Sequence, residues 1–324
     1  AVISVMLGLG GGLGLVVTGL LMTDGAPYQR VFWLCTIVTA AVIIPAVRII
    51  PSRPGRGTGE VDWLGALGLA AGLSAVLLTV TQGRAWGWLS PATTAAAVSG
   101  TAILAVWWTR SRRIAQPLVS TRMLSRRPIR LVNGATLLVG MALYFSFLGL
   151  TDFVKVPAAD GYGFGASVLD ASLEFLLPGA LAAAATALVS GRFIELFGAR
   201  KVVVAGASAG ALGFIFLIGW HSAPWEVITG YLLTNVYISL AYGALPVLIV
   251  QEVAGDETAV ATRLNAIIRK VGAAMAAAAV GVLLTPGADG HPSESGFATL
   301  FALGAATAIG TIVLIYKKQD GEAA

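Results

Sequence analysis

Two carboxylates, Asp170 and Glu174, stand four residues apart within an otherwise apolar stretch. At that spacing on a helix they share one face. An ionisable group inside an apolar span is costly unless it faces protein or a water-filled cavity, and such groups mark ion or proton pathways. Counted from Ala166 at 1.5 Å per residue, the two acids lie ~6 Å and ~12 Å deep. Pro178 follows one turn beyond Glu174 and is expected to kink the span. Asp152 is a third proton-coupling candidate, although Lys155 three residues on also gives it the spacing of a surface ion pair. Asn235, Thr234, Ser239 and Asn265, with Tyr231, Tyr237 and Tyr242, can either line a mixed aromatic and polar cavity or hydrogen-bond between helices.

Other chemistries find less support. No Lys follows a Gly, so the phosphate-cradling P-loop pattern is missing and ATP hydrolysis by that route is excluded. Gly161-Tyr162-Gly163-Phe164-Gly165-Ala166 fits a relaxed dinucleotide-binding pattern, but no strand precedes it and it reads as a turn. His221 and His291 lie in separate polar segments without neighbouring ligands, so neither a metal site nor a nucleophilic triad is expected. The single cysteine, Cys35, sits in an apolar run and reads as packing. No enzyme activity, cofactor, metal or nucleic-acid partner is expected.

The elements that must position these groups are ten apolar runs, at roughly 3–22, 30–50, 62–82, 91–109, 131–154, 166–190, 202–220, 225–250, 264–285 and 297–316. Each approaches the ~20 residues that cross ~30 Å of hydrocarbon. A mean hydropathy of +0.84 with 11% charged residues describes a chain whose solvent is mostly lipid. Of the 21 Lys and Arg, only Arg30, Arg84 and Lys155 fall on one side when the runs are threaded alternately, and eighteen fall on the other. Such a bias in short loops places the basic side, with both termini, in the cytoplasm. Arg269 and Lys270 are counted among the eighteen, at a cytoplasmic helix end. The eight Trp cluster at or near run ends, where an aromatic belt belongs. The expectation is an all-α integral membrane protein with about ten transmembrane helices, its partners the lipid bilayer, a small molecule and protons.

Polar punctuation divides the chain. A breaker-rich linker, Pro51-Ser52-Arg53-Pro54-Gly55-Arg56-Gly57-Thr58-Gly59, follows the second run, and the segment from Arg110 to Arg130 carries seven Arg and no acid. Asp62-Trp63-Leu64-Gly65, Gln82-Gly83 with Gly87-Trp88 and Ser90-Pro91, Arg113 with Gln116-Pro117-Leu118, and Leu177-Pro178-Gly179 resemble the fourteen-helix drug:proton antiporters of the major facilitator superfamily. The resemblance implies that 1–50 holds the last two helices of an N-terminal bundle. It further implies that 51–127 is a linker plus an extra helix pair, and 128–324 a six-helix C-terminal bundle. Four helices would then precede Ala1, and the chain alone would not export. It also implies a proton-coupled exporter of amphiphilic or cationic drugs, a multi-pass protein of the cytoplasmic membrane, working by alternating access. A truncated or non-transporting protein of the same fold is the alternative.

Two further motifs carry residue-level expectations. Gly8, Gly10, Gly11, Gly12 and Gly14-Leu15-Val16-Val17-Thr18-Gly19 are similar to the Gly-rich antiporter motif, with Leu15 where Pro is usual. Its small residues let another helix approach closely. Gly191, Glu195, Gly198, Arg200 and Lys201 are similar to the cytoplasmic loop motif, with Leu196 where Arg is usual. There Glu195 is expected to pair with Arg200 and the next helix's positive end, latching two helices together.

Overall fold

The computed structural model describes residues 10, 13–14, 16–22, 27–49, 62–114, 121–255, 257–287 and 290–320. Of the first predicted span, residues 16–21 are helical. Gly8 and Gly12 lie outside the described residues, as do the linker 51–59 and Gln116-Pro117-Leu118.

Nine helices among the described residues are long and apolar enough to cross a membrane. In chain order the helices are α1 (Gln29–Ile49), α2 (Trp63–Trp86), α3 (Pro91–Ser111), the short α4 (Thr121–Ser125), α5 (Arg127–Lys155), α6 (Val168–Phe197), α7 (Ala199–Gly219), α8 (Pro224–Val250), α9 (Thr258–Leu283) and α10 (Glu294–Asp320). Helix is the required answer in lipid, because every backbone N–H and C=O must be satisfied within the segment. Helix α1 buries none of its residues, and Cys35 is exposed on it. Cys35, read from the sequence as a packing residue, is thus exposed on the described part of the structure.

The hairpin α2–α3 explains the residues that carried the resemblance. Asp62 caps α2 by accepting from the Gly65 N–H at 2.8 Å, and it pairs with Arg110 at the far end of α3 at 2.7 Å. Gly65 leaves room for that carboxylate, since a Cβ there would lie 2.0 Å from it. At the other end the Trp88 ring lies on Gly83, Gly87 turns the chain at φ +88°, and Ser90 caps α3 ahead of Pro91. Each motif residue thus closes one end of a hairpin.

Helices α5 to α10 form the bundle. Helix α5 packs on α8, α9 and α10, while α8 also packs on α6 and α7, and α10 on α7. Buried positions along α5 recur every three or four residues from Ile129 to Val154, the stripe a helix needs to be buried on one side. Because lipid is as apolar as Leu, close packing and hydrogen bonds hold such helices together. Asn265 on α9 donates to Asn133 and Thr136 on α5, at 3.2 and 2.6 Å. Ser146 and Thr234 join α5 to α8 at 2.6 Å, and Tyr237 and Thr311 join α8 to α10 at 2.9 Å. Each bond of this kind contributes about 0.6 kcal/mol in a membrane.

Two glycines set the approach of α5 and α9. A Cβ on Gly140 would lie 2.3 Å from the Arg269 carbonyl oxygen, and one on Gly272 would lie 2.1 Å from that of Leu137. The two backbones therefore touch, with no side chain between them.

Candidate functional site

A cavity of about 850 Å³ opens between α5, α6, α8 and α9. Helix α5 contributes Tyr144, Phe147, Thr151 and Lys155, and α8 contributes Tyr231, Asn235, Ser239 and Tyr242. Helix α6 supplies small residues, among them Ala171, Ser172, Ala180 and Ala183, while α9 supplies Arg269, Lys270 and Ala273. Gly14 and Thr18 also border it. The volume is that of a drug-sized ligand site, and an apolar wall with a few placed polar groups is the usual composition.

The polar groups are fixed from behind. Asn235 donates to the Tyr231 carbonyl at 3.0 Å, and Ser239 donates across to the Ala183 carbonyl at 2.8 Å. The Tyr231 ring lies against Gly179, where a Cβ would come within 2.4 Å of it. Gly179 follows Pro178, which has no N–H to give the Glu174 carbonyl. Ahead of it, residues Ala171–Leu176 widen into a π-turn, and Leu177 N–H reaches back five residues to Ser172. A π-turn inside α6 absorbs the lost bond, so the helix runs on from Val168 to Phe197.

The sequence-derived candidates distribute as follows. Tyr231 and Asn235 line the cavity, as does Gly14. Gly19 lies on α6, its Cβ position 3.1 Å from Leu169. Asn265 is buried in the α5–α9 contact, where it donates to Asn133 and Thr136, and it is not among the residues that line the cavity. Asp170 is exposed and closes a capping box, accepting from Ser167 Oγ at 2.6 Å. Glu174 is exposed too, and neither acid borders the cavity. Asp152 pairs with Lys155 at 3.1 Å, with both side chains about two-fifths exposed.

At the opposite end, Gly198 adopts φ +84° in the tight turn from α6 to α7, a conformation that favours glycine. Glu195 and Lys201 are exposed there, and nothing lies within 4 Å of a Cβ on Gly191. Arg200 stacks over the Tyr316 ring of α10 at 5.2 Å. The two-oxygen ion pair at that end joins Arg126, before α5, to Glu257, before α9, at 2.7 and 3.0 Å.

One placement differs sharply from the sequence reading. Helix α9 starts at Thr258, six residues before the apolar run from which its end was inferred. Arg269 and Lys270 consequently sit at the midpoint of a 26-residue helix, and the Arg269 carbonyl meets Gly140, itself at the midpoint of α5. Both line the cavity wall. Without them the threaded asymmetry is sixteen against three, which keeps its sign. The signal was present in the sequence, because Thr258-Ala259-Val260-Ala261-Thr262 contains no helix breaker and carries α9 back toward Glu257.

On the outer side, as threaded, the Gly161–Ala166 segment is a turn with positive φ at Gly161, Gly163 and Gly165. Tyr162 there donates to the Pro292 carbonyl, and its phenol is raised above the ordinary 10.0 by burial first, then by Asp160 and Glu294. His221 contacts Glu294 at 3.0 Å. Among the described residues no three His, Cys, Asp or Glu come together as a metal site would require.

No family model matches the chain. It is 30% identical over 185 residues to the tetracycline resistance determinant of Streptomyces rimosus, covering 56% of this chain and 51% of that protein. It is 25% identical over 285 residues to a major facilitator superfamily multidrug transporter of Aspergillus fumigatus, covering 85% of this chain and 53% of that one. A probable actinorhodin transporter of Streptomyces coelicolor is 23% identical over 290 residues, 86% of this chain and 49% of the relative. The chain spans about half the length of the curated relatives it matches. With its long apolar helices, the chain is similar to proteins named as membrane transporters, one of them of the major facilitator superfamily.

Proposed function

We propose that this chain forms the substrate-binding half of a proton-coupled secondary transporter that exports amphiphilic drugs by alternating access. The observation that carries the reading is the 850 Å³ cavity between the helices of the bundle, walled by tyrosines and by polar groups held in fixed positions. Midplane sites between helices, near interrupted helical turns, are the usual arrangement in secondary transporters. The π-turn at Ala171–Leu176 borders this cavity through Ala171, Ser172 and Leu176. Relatives named for tetracycline resistance and multidrug transport support the substrate class. The remaining basic bias supports a cytoplasmic-membrane location with cytoplasmic termini.

For the proton step the reading keeps Glu174, since Asp170 is engaged as a helix cap and Asp152 with Lys155. The complete gene product in proteoliposomes under an imposed pH gradient should move a fluorescent aromatic amphiphile, and a protonophore should stop it. Glu174→Gln should uncouple transport from the gradient while substrate binding stays measurable. Movement that ignores both the gradient and the protonophore would refute proton coupling, and no movement beyond protein-free vesicles would refute transport.

A further inference from the structure

The charges lining the cavity are all basic. Arg269 and Lys270 lie at the midpoint of α9, and of the residues bordering the cavity none is Asp or Glu. Lys155, the third cation of the wall, already has Asp152 beside it. Among the described residues Arg269 and Lys270 make no ion pair; the Arg269 guanidinium instead lies over the Tyr242 ring at 4.4 Å. Stacking of this kind holds the guanidinium plane and leaves its edge N–H donors free to receive an acid in a two-pronged geometry. Its backbone is pinned by the Gly140 contact, so the charge cannot withdraw toward the aqueous face by shifting the helix. A charge on a spanning helix that faces a cavity tends to pair or to mark a substrate path.

Resting on the transporter reading above, we propose that Arg269 and Lys270 bind the ionised acid of the transported molecule. The cavity then selects aromatic amphiphiles carrying one negative charge, such as a phenolate, enolate or carboxylate. Tyr144, Tyr231 and Tyr242 supply ring faces for the aromatic body and hydroxyls for its polar edge. A lipid headgroup phosphate presents the same anionic chemistry, and the test separates the two sources.

The complete gene product is placed in nanodiscs of zwitterionic lipid and titrated by fluorescence with three molecules sharing one aromatic body: 9-anthracenecarboxylate, 9-anthracenemethanol and 9-(aminomethyl)anthracene. The carboxylate should bind about tenfold tighter than the alcohol, as a charge-assisted hydrogen bond implies, and the ammonium weakest. In Arg269→Gln with Lys270→Gln the carboxylate should fall to within about twofold of the alcohol, whose own affinity holds; one charged hydrogen bond accounts for that fold-change. Arg269→Lys should keep most of the preference, and Lys270→Gln alone, at an exposed side chain, should lower it in a folded protein. A carboxylate no tighter than the alcohol in the wild type, or a preference that survives the double substitution, overturns the inference. So does a preference that vanishes when phosphatidylglycerol is added to the disc, which would assign the site to a lipid headgroup. Alcohol binding without anion preference sinks this inference alone, whereas failure of all three probes to bind would sink the transporter reading with it.

Discussion

Substituting Gly140 or Gly272 by Ala puts a methyl group where α5 and α9 have backbone against backbone. The added Cβ atoms would stand 2.3 and 2.1 Å from carbonyl oxygens, about 0.7 and 0.9 Å inside the closest approach that real Cβ atoms show. Backbone carbonyls in two long helices cannot rotate aside, so the helices must separate. Overpacking of this kind costs about 1–3 kcal/mol. Parting the helices also stretches the Asn265 bonds to Asn133 and Thr136, which lie about two turns of α9 from Gly272 and contribute about 0.6 kcal/mol each. The better helix propensity of Ala returns at most about 1 kcal/mol. Each single variant should therefore lose about 2 kcal/mol in an SDS-titrated unfolding experiment in mixed micelles. Gly281, on the same helix with nothing within 4 Å of its Cβ position, is the internal control, and Gly281→Ala should be neutral or slightly stabilising. If Gly140→Ala and Gly272→Ala both unfold with Gly281→Ala, the close contact that fixes Arg269 against α5 is wrong.

Asp62→Ala removes the α2 cap and the partner of Arg110, so hairpin stability should fall by about 1–2 kcal/mol in the same assay. Arg110→Gln, whose side chain is 37% exposed, should cost less. Because the folded state raises the Tyr162 phenol above 10.0, its contribution to the outer-loop contact is complete below that pH and is lost as pH rises through the raised value. Tyr162→Phe should flatten that alkaline loss in a thermal-denaturation series, and an unchanged pH profile would remove Tyr162 from the account. A reporter active only in the cytoplasm should work when fused after Ala324 and be silent when inserted between Gly287 and Ser295. The reverse result would invert the threading of the spans.

Long apolar runs made the helices legible, because lipid leaves the backbone no alternative and runs of about twenty residues have one use. The hairpin residues Asp62, Gly83, Trp88 and Ser90 were recognisable as a pattern, but their purpose was not, since it depends on Arg110 arriving from 48 residues away. Tyr231 and Asn235 could be named as cavity or interface groups; which side of α8 they faced was decided by Gly179, a contact no spacing reveals. Asp170 illustrates the limit of reading burial from an apolar run: the chain enters α6 through Ser167, and the first-turn acid is spent on capping. Arg269 and Lys270 were read as lying at a helix end for the opposite reason. An apolar run marks where hydrophobicity begins, whereas α9 begins at Thr258, eleven residues before the first of these cations. The latch at Glu195 and Arg200 was a loop-level expectation, and the structure gives Arg200 the Tyr316 ring to lie on.

The most direct test of the account is the environment of α9 at mid-helix. Spin labels placed singly at Lys270 and Met275, with Cys35 replaced by Ser, should report two faces of one helix. Met275, exposed and not among the residues that line the cavity, should be relaxed strongly by oxygen and weakly by a water-soluble nickel chelate. Lys270, on the cavity wall, should be open to the nickel chelate although it lies only about 7.5 Å along the helix from Met275. Equal and high nickel accessibility at both positions would return Arg269 and Lys270 to an aqueous helix end and contradict the central cavity.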